Sequence, residues 1–160
     1  MEKILVGMDP ETTSYWAGMH ALNLAKRINA KVFFLRVVKS EAKDEVPGGI
    51  KGNPAISARK RLEPLIEKAR SEGTVVDDYV SYGEYEKELI SFIHENKISM
   101  LVLGSPADHE AYKAGFTDFL EKIRHRVDCC IEIVYKKNLT GQKRGKDDSN
   151  VAYVSTDRRQ

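Results

Sequence analysis

Residues 101–120, LVLGSPADHEAYKAGFTDFL, have the outline of a phosphate-binding segment: an apolar strand ending in Gly104, a loop, and then a helix. In α/β proteins, a glycine-containing loop before a helix presents backbone N–H groups to phosphate. Such loops normally carry several glycines, whereas Ala107, Thr117 and Asp118 stand here where glycine or a hydroxyl would be wanted. The segment is therefore a nucleotide loop, the remains of one, or an ordinary connection.

Other motifs that carry chemistry do not occur in the sequence. VGMDPETT stands where a dinucleotide-binding GxGxxG would follow the first strand, and neither GxxxxGK[ST] nor GxSxG is found. The histidines are scattered, and no Cys/His set has the spacing of a metal site. We therefore predict no metal site and no catalytic residues, and the protein is not expected to be an enzyme.

Composition and cysteine usage indicate one soluble domain. The chain has 160 residues, of which 41% are hydrophobic and 31% charged, and no apolar run is long enough to span a bilayer. The N-terminal MEKILVGMDP leads directly into a strand-like run, unlike a signal peptide. A bond between the adjacent cysteines Cys129 and Cys130 would be strained. We expect a reducing, cytoplasmic setting.

The net charge of +2 is unevenly distributed. Residues 136–160 contain seven Lys or Arg and three Asp, about +4, which leaves about −2 on residues 1–135. We predict a domain over 1–135 and a basic polar extension over 136–160. The extension is a solvated tail or an arm for an unknown protein partner, and residues 151–154 are its one strand-like part. Neither a membrane nor nucleic acid is an expected partner.

Strand and helix patterns alternate along the first 135 residues. Apolar, β-branched runs predict strands over 3–9, 31–38, 74–81, 99–103 and 129–135, and apolar residues at helical spacing predict helices over 13–29, 54–71, 84–96 and 111–126. A kink or restart is expected at Pro64. This alternation predicts a single α/β domain: a doubly wound, five-stranded parallel sheet with helices on both faces and strand order 3-2-1-4-5. Ligands of such sheets bind where the strand order reverses, here between Asp9 and Gly104.

In three segments the sequence resembles the universal stress proteins. MEKILVGMDPETTSYWAGMHALNLAKRINAKVFFLRVV is similar to their first strand, helix and second strand. VSYGEYEKELISFIHENKISMLVLGS and EKIRHRVDCCIEIV are similar to later segments, so the resemblance spans residues 1–135. It implies the adenine nucleotide alpha hydrolase-like fold. It also implies a stress-response or signalling function.

The resemblance also implies a nucleotide site. Members that bind ATP carry Gly, two residues, Gly, nine residues, then Gly and Ser or Thr. When this pattern is placed on the sequence without a gap, Gly104 matches its first glycine. Ala107, Thr117 and Asp118 then stand at the other three positions. A Cβ at a glycine site costs about 1–2 kcal/mol, and the Asp118 carboxylate would repel phosphate by roughly 3 kcal/mol at 5 Å. The implied degenerate site consists of Asp9, Val37, Gly104, Ser105, Ala107, Thr117 and Asp118.

Three functions are compatible with the fold that the sequence predicts. The first is a universal stress protein that does not hold ATP tightly and needs no cofactor. The second is a member that binds ATP or AMP through a modified loop, with a divalent cation held by Asp9, Asp108 and Asp118. The third is an enzyme of the wider ATP-pyrophosphatase-like group, which is disfavoured because its SGGxDS signature is missing after the first strand.

The last predicted strand is the expected dimer contact. The strand order leaves it at an edge of the sheet, and exposed edges recruit further strands. Universal stress proteins commonly pair through this strand, which implies a homodimer that uses Cys130, Ile131, Glu132, Ile133 and Val134. Glu132 would then face Lys136 of the second chain. The alternative is that the tail folds back over its own edge and leaves a monomer.

Overall fold

The computed structural model describes residues 1–9, 14–38, 54–106, 110–135 and 151–154. These residues form four helices and six strands. The strands are β1 (Lys3–Met8), β2 (Lys31–Val38), β3 (Val76–Tyr82), β4 (Met100–Gly104), β5 (Cys130–Val134) and β6 (Val151–Val154). The helices are α1 (Ser14–Ile28), α2 (Pro54–Ser71), α3 (Tyr85–Asn96) and α4 (Glu110–Arg124).

The six strands form one sheet in the order β3-β2-β1-β4-β5-β6. The first five are parallel, so the predicted α/β fold and the predicted order 3-2-1-4-5 are confirmed. The predicted count of five strands was one too few. β6 adds antiparallel to the outer side of β5, in a register that places Glu132 opposite Tyr153. The strand-like part of the tail therefore completes the sheet of its own chain.

Alternate residues of the central strands feed two separate cores, as side chains on a strand must. On one face Ile4, Val6 and Met8 pack with α1 and α2. On the other face Leu5 packs with α3 and α4. Both faces of the sheet are thus covered by helices, which explains why β1, β4 and β5 read as almost continuous apolar runs.

Helix α1 buries a face that the sequence largely predicts. Ala17, Ala21 and Ala25 are buried, but Ile28, which belongs to the same helical pattern, is 41% exposed at the C-terminal end. In α2 the helix continues through Pro64, so the expected restart does not occur. Pro64 is on the exposed side, where the missing N–H bond and the ring are tolerated more easily.

An ion pair joins α2 to the edge strand β3. Nε and Nη2 of Arg59 donate to the two carboxylate oxygens of Asp78 at 2.6 and 2.7 Å, a two-point contact of matched geometry. These hydrogen bonds hold the pKa of Asp78 below its usual value. Because both groups are partly exposed, the contact adds little stability, and we infer that it mainly fixes the position of α2 on the sheet.

The two cysteines differ in exposure, although they are adjacent. Cys129 is buried and Cys130 is exposed, and neither of them is in a disulfide. The backbone N–H of Cys130 donates to the carbonyl of Ser99 at 3.2 Å, where β5 begins its pairing beside β4. The opposite exposures agree with the prediction that these neighbouring side chains point to opposite faces.

Candidate nucleotide crevice at the strand switch point

The predicted switch point lies between β1 and β4. These strands are parallel neighbours, with Ile4 opposite Met100 and Val6 opposite Val102. Asp9 directly follows β1, Gly104 is the last residue of β4 and Ser105 follows it, so the structure brings these three residues to the same edge of the sheet. Val37 lies near the same end of β2. Four of the seven predicted nucleotide-site residues therefore lie at this edge.

The first residue of α1 is hydrogen-bonded to the backbone of Asp9, directly after β1. The hydroxyl of Ser14 accepts a hydrogen bond from the Asp9 N–H and donates one to the Asp9 carbonyl, each at 2.9 Å. Ser14 is the first residue of α1 and is only 2% exposed. Its side chain thus holds the backbone of Asp9 against the start of the helix and fixes where β1 ends.

The backbone after β4 is committed to the sheet. The Ser105 N–H donates to the carbonyl of Val134 in β5 at 2.8 Å, and Ser105 is 7% exposed. A phosphate-binding loop needs backbone N–H groups that point toward the ligand. The Ser105 N–H does not serve this purpose in the structure, because it extends the pairing of β4 with β5.

Two of the remaining predicted phosphate positions, Thr117 and Asp118, lie within α4 and not at the ends of the strands. Thr117 and Asp118 are exposed residues inside α4, about 10 Å along the helix from its first residue, Glu110. Their N–H groups belong to the interior of the helix, where each donates to the carbonyl four residues earlier. Gly115 is also within α4, so no glycine ends or restarts the helix at Thr117. Ala107 and Asp108 lie outside the described residues.

Tyr85, which the sequence analysis did not select, occupies the crevice instead. Its hydroxyl is buried and has no hydrogen-bond partner among the described residues. A Cβ built on Gly7 of β1 would lie 2.5 Å from this oxygen and 3.0 Å from Leu103 of β4. The signal that could have revealed it is Gly7 itself, since a glycine inside a buried strand marks a close approach of another group.

The turn before α3 places Tyr85 there. Gly83 has φ +146°, which L side chains rarely adopt, and its N–H donates to the carbonyl of Val38 at 2.9 Å. Tyr85 follows two residues later as the first residue of α3, and its ring stacks on Phe119 of α4 with centroids 5.3 Å apart. Burial raises the pKa of Tyr85 well above its usual value, and the negative charge of Asp9 adds to this.

Replacing Tyr85 by phenylalanine is expected to protect the fold at high pH. Above the usual tyrosine pKa of 10.0, the unfolded chain loses the phenolic proton while the folded chain keeps it. The folded state then binds more protons, so the wild-type free energy of unfolding falls as pH rises past about 10. Urea unfolding between about pH 9 and 11 measures this slope.

Tyr153→Phe is the matched control, because Tyr153 is 70% exposed. We expect it to keep the wild-type pH dependence. Equal slopes for wild type and Tyr85→Phe would contradict the burial of the Tyr85 hydroxyl.

Glu132 has a different environment from the one expected. It was predicted to face a second chain, but only 4% of its side-chain surface is exposed, and its Oε1 lies 2.6 Å from Nε2 of His20 on α1. The position is buried because Glu132 and Val134 point from β5 toward the α1 side of the sheet, where Val134 joins the core. The sequence gives no clear signal for this pair, since its two residues are 112 positions apart.

The outer side of β5 is also occupied. The residues expected at a dimer edge, from Cys130 to Val134, form a strand that pairs with β4 on one side, and Ile131 to Val134 pair with β6 on the other. Ala152 and Val154 of β6 pack against the core on the α3–α4 face. β5 is therefore not an open edge in this structure, because the chain covers it with its own tail.

Comparison with known proteins agrees with this fold. Residues 1–134 match the universal stress protein family, and the chain belongs to that family. No curated protein sequence is significantly similar to it.

Several solved structures share its architecture. A universal stress protein in complex with cAMP is 19% identical, with a TM-score of 0.59 over 83% of this chain and 96% of that one. UspA from Lactobacillus plantarum is also 19% identical, with a TM-score of 0.59 over 84% and 96%. A family member from Arabidopsis thaliana with AMP bound is 16% identical, with a TM-score of 0.56 over 91% and 98%.

Among the described residues, the phosphate contacts that the resemblance implies are not assembled at this edge of the sheet. The Ser105 N–H is used by β5, Thr117 and Asp118 lie inside α4, and the Tyr85 hydroxyl lies against Gly7. Within the described ranges, no group of three acidic, histidine or cysteine side chains is placed to hold a metal ion. Nor is any helix in the described part of the chain both long and apolar enough to cross a membrane.

Proposed function

We propose that this protein is a cytoplasmic stress-response or signalling component of the universal stress type that does not hold ATP tightly. The observation that carries the proposal is the uninterrupted course of α4 through Thr117 and Asp118. A phosphate clamp at those positions would need free N–H groups, and the interior of a helix offers none. The proposal assigns no catalytic residue and no resident cofactor.

A second candidate is an adenine-nucleotide-binding member with a modified loop. It is favoured by the retained positions of Asp9, Val37 and Gly104 at one edge of the sheet. Solved family members with AMP or cAMP bound share the fold and support it further. AMP has one phosphate and depends less than ATP on a complete clamp. A divalent cation belongs to this candidate only.

Calorimetric titration with ATP and Mg²⁺ tests the first proposal. We expect no dissociation constant below about 10 μM, and no nucleotide released when the purified protein is denatured. AMP, titrated in parallel, is the matched ligand for the second candidate. Tight ATP binding would overturn the first proposal, whereas micromolar binding of AMP alone would favour the second.

We further propose a homodimer through β5 that competes with β6. The outer side of β5 accepts one strand at a time, so a second chain can pair there only when β6 has left. In this proposal the tail sets the balance between monomer and dimer. The binding of an unknown protein partner by the basic part of the tail stays a prediction.

A further inference from the structure

The ring of Tyr85 fills a narrow slot at the carboxyl end of β1. One face of the ring stacks on Phe119, with an interplanar angle of 19°. The hydroxyl end reaches the backbone of Gly7, close to the side chains of Leu103 and Leu89. We call the space that this ring fills, from Phe119 to the backbone of Gly7 in the central strand β1, the slot.

Tyr85 is a partly exposed residue whose polar end is turned inward. The hydroxyl is fully buried, yet Tyr85 as a whole residue is partly exposed. The polar end of the side chain therefore lies deeper than the residue as a whole. An ordinary core tyrosine at the surface has the opposite orientation, with the hydroxyl in water or on a partner.

The buried end of the slot suits a polar group better than its present contents do. A buried hydroxyl without a hydrogen bond costs about 1–3 kcal/mol. Asp9, whose negative charge acts on Tyr85, stands at the same end of β1. A flat ring with hydrogen-bonding atoms at its inner edge would stack on Phe119 and present those atoms toward Asp9. Purines have this shape and chemistry.

We propose that Tyr85 is a gate residue whose ring occupies the place of a purine base, so that the crevice takes up a purine nucleoside only when Tyr85 turns outward. This inference rests on the second candidate function, in which the switch point is an adenine-nucleotide crevice with a modified loop. Apparent affinity is the affinity of the open form multiplied by its population, so a closed gate weakens binding without altering the contacts.

Titration of adenosine and AMP into wild type, Tyr85→Phe and Tyr85→Ala tests the gate. Tyr85→Ala is expected to bind both ligands at least tenfold more tightly than wild type. Tyr85→Phe keeps the ring and removes the unpaired hydroxyl that destabilises the closed form, so it is expected to bind no more tightly than wild type. Adenosine and AMP are expected to gain equally, because the gain comes from the slot and not from phosphate contacts.

Phenol, titrated into Tyr85→Ala, is the control ligand, because cavities left by aromatic truncation bind small aromatic molecules. Its binding shows that the cavity exists even where a larger ligand does not enter. A folded Tyr85→Ala that binds phenol but not adenosine would show that Tyr85 is only a packing residue and would overturn the gate. Tyr85→Leu retains part of the apolar contact and serves if Tyr85→Ala does not fold. A folded Tyr85→Leu that binds adenosine no better than wild type would also overturn it. Failure of the second candidate function is separate, because it is read from AMP binding to the wild type.

Discussion

Replacing His20 by alanine is expected to lower the free energy of unfolding by about 3 kcal/mol, because it leaves the Glu132 side chain buried without its partner. The two side chains meet at 2.6 Å between α1 and β5, and 4% of the Glu132 side-chain surface is exposed. The loss should be seen as a lower urea midpoint with an unchanged slope. His20 itself is 21% exposed, so relaxation around it limits the effect.

Two comparisons isolate the contact. His94→Ala is the matched control, because the Nε2 of His94 lies 3.0 Å from the Arg126 carbonyl at an exposed position. We expect it to cost less than about 1 kcal/mol. The double variant His20→Leu, Glu132→Met replaces both polar groups by apolar ones and is expected to cost less than His20→Ala alone. Equal losses for His20→Ala and His94→Ala would refute the importance of this pair.

Removal of residues 136–160 is expected to convert a monomer into a dimer at about 50 μM protein. The deletion takes away β6 and leaves the outer side of β5 open, with Ile131 and Ile133 newly exposed at the edge. A second chain restores the lost strand pairing and covers this apolar surface. Sedimentation velocity of the full chain and the truncated chain measures the change directly.

A proline in β6 tests whether the strand itself or the charge of the tail prevents dimerisation. Ala152→Pro leaves all 160 residues and the net charge in place but disturbs the strand opposite Ile133. It should dimerise as the truncated chain does, whereas Asp157→Asn, outside β6, should not. If the truncated chain is folded and still monomeric, or if the full chain already dimerises equally well, β6 does not compete for this edge.

The strand order was predictable because each strand–helix unit has a local signature. The runs ILVG, VFFL and MLVLG are apolar on both faces, which is typical of central parallel strands, and the intervening helices are long enough for crossovers. Handedness then leaves few topologies. The boundaries differ by one or two residues, as at β3, which was predicted over 74–81 and is found at Val76–Tyr82.

The position of β6 was not predictable in the same way. Its composition indicated a strand, but a four-residue strand has no signal for its partner. Pairing with β5 of the same chain or with a strand of a second chain satisfies the same backbone groups. Both pairings were therefore compatible with the sequence, and in the structure β6 pairs with β5 of the same chain.

The candidate site shows where a family pattern stops being informative. Asp9 and Gly104 lie at the switch point as expected, because strand ends fix them. Thr117 and Asp118 were placed by counting residues, but α4 begins seven residues before Thr117 and takes both into its interior. Tyr85 comes from a third segment, and only the three-dimensional approach to Gly7 connects it to the site.

The reaction rates of the neighbouring cysteines at the start of β5 can report how often this part of the sheet opens. A thiol reagent in excess reaches the exposed Cys130 at once, but it reaches the buried Cys129 only in molecules that have opened locally. The ratio of the two labelling rates, for groups of the same chemistry one residue apart, gives the fraction of time that the segment spends open. A one-residue register slip would exchange the two exposures, so the pair also distinguishes an opened strand from a shifted one.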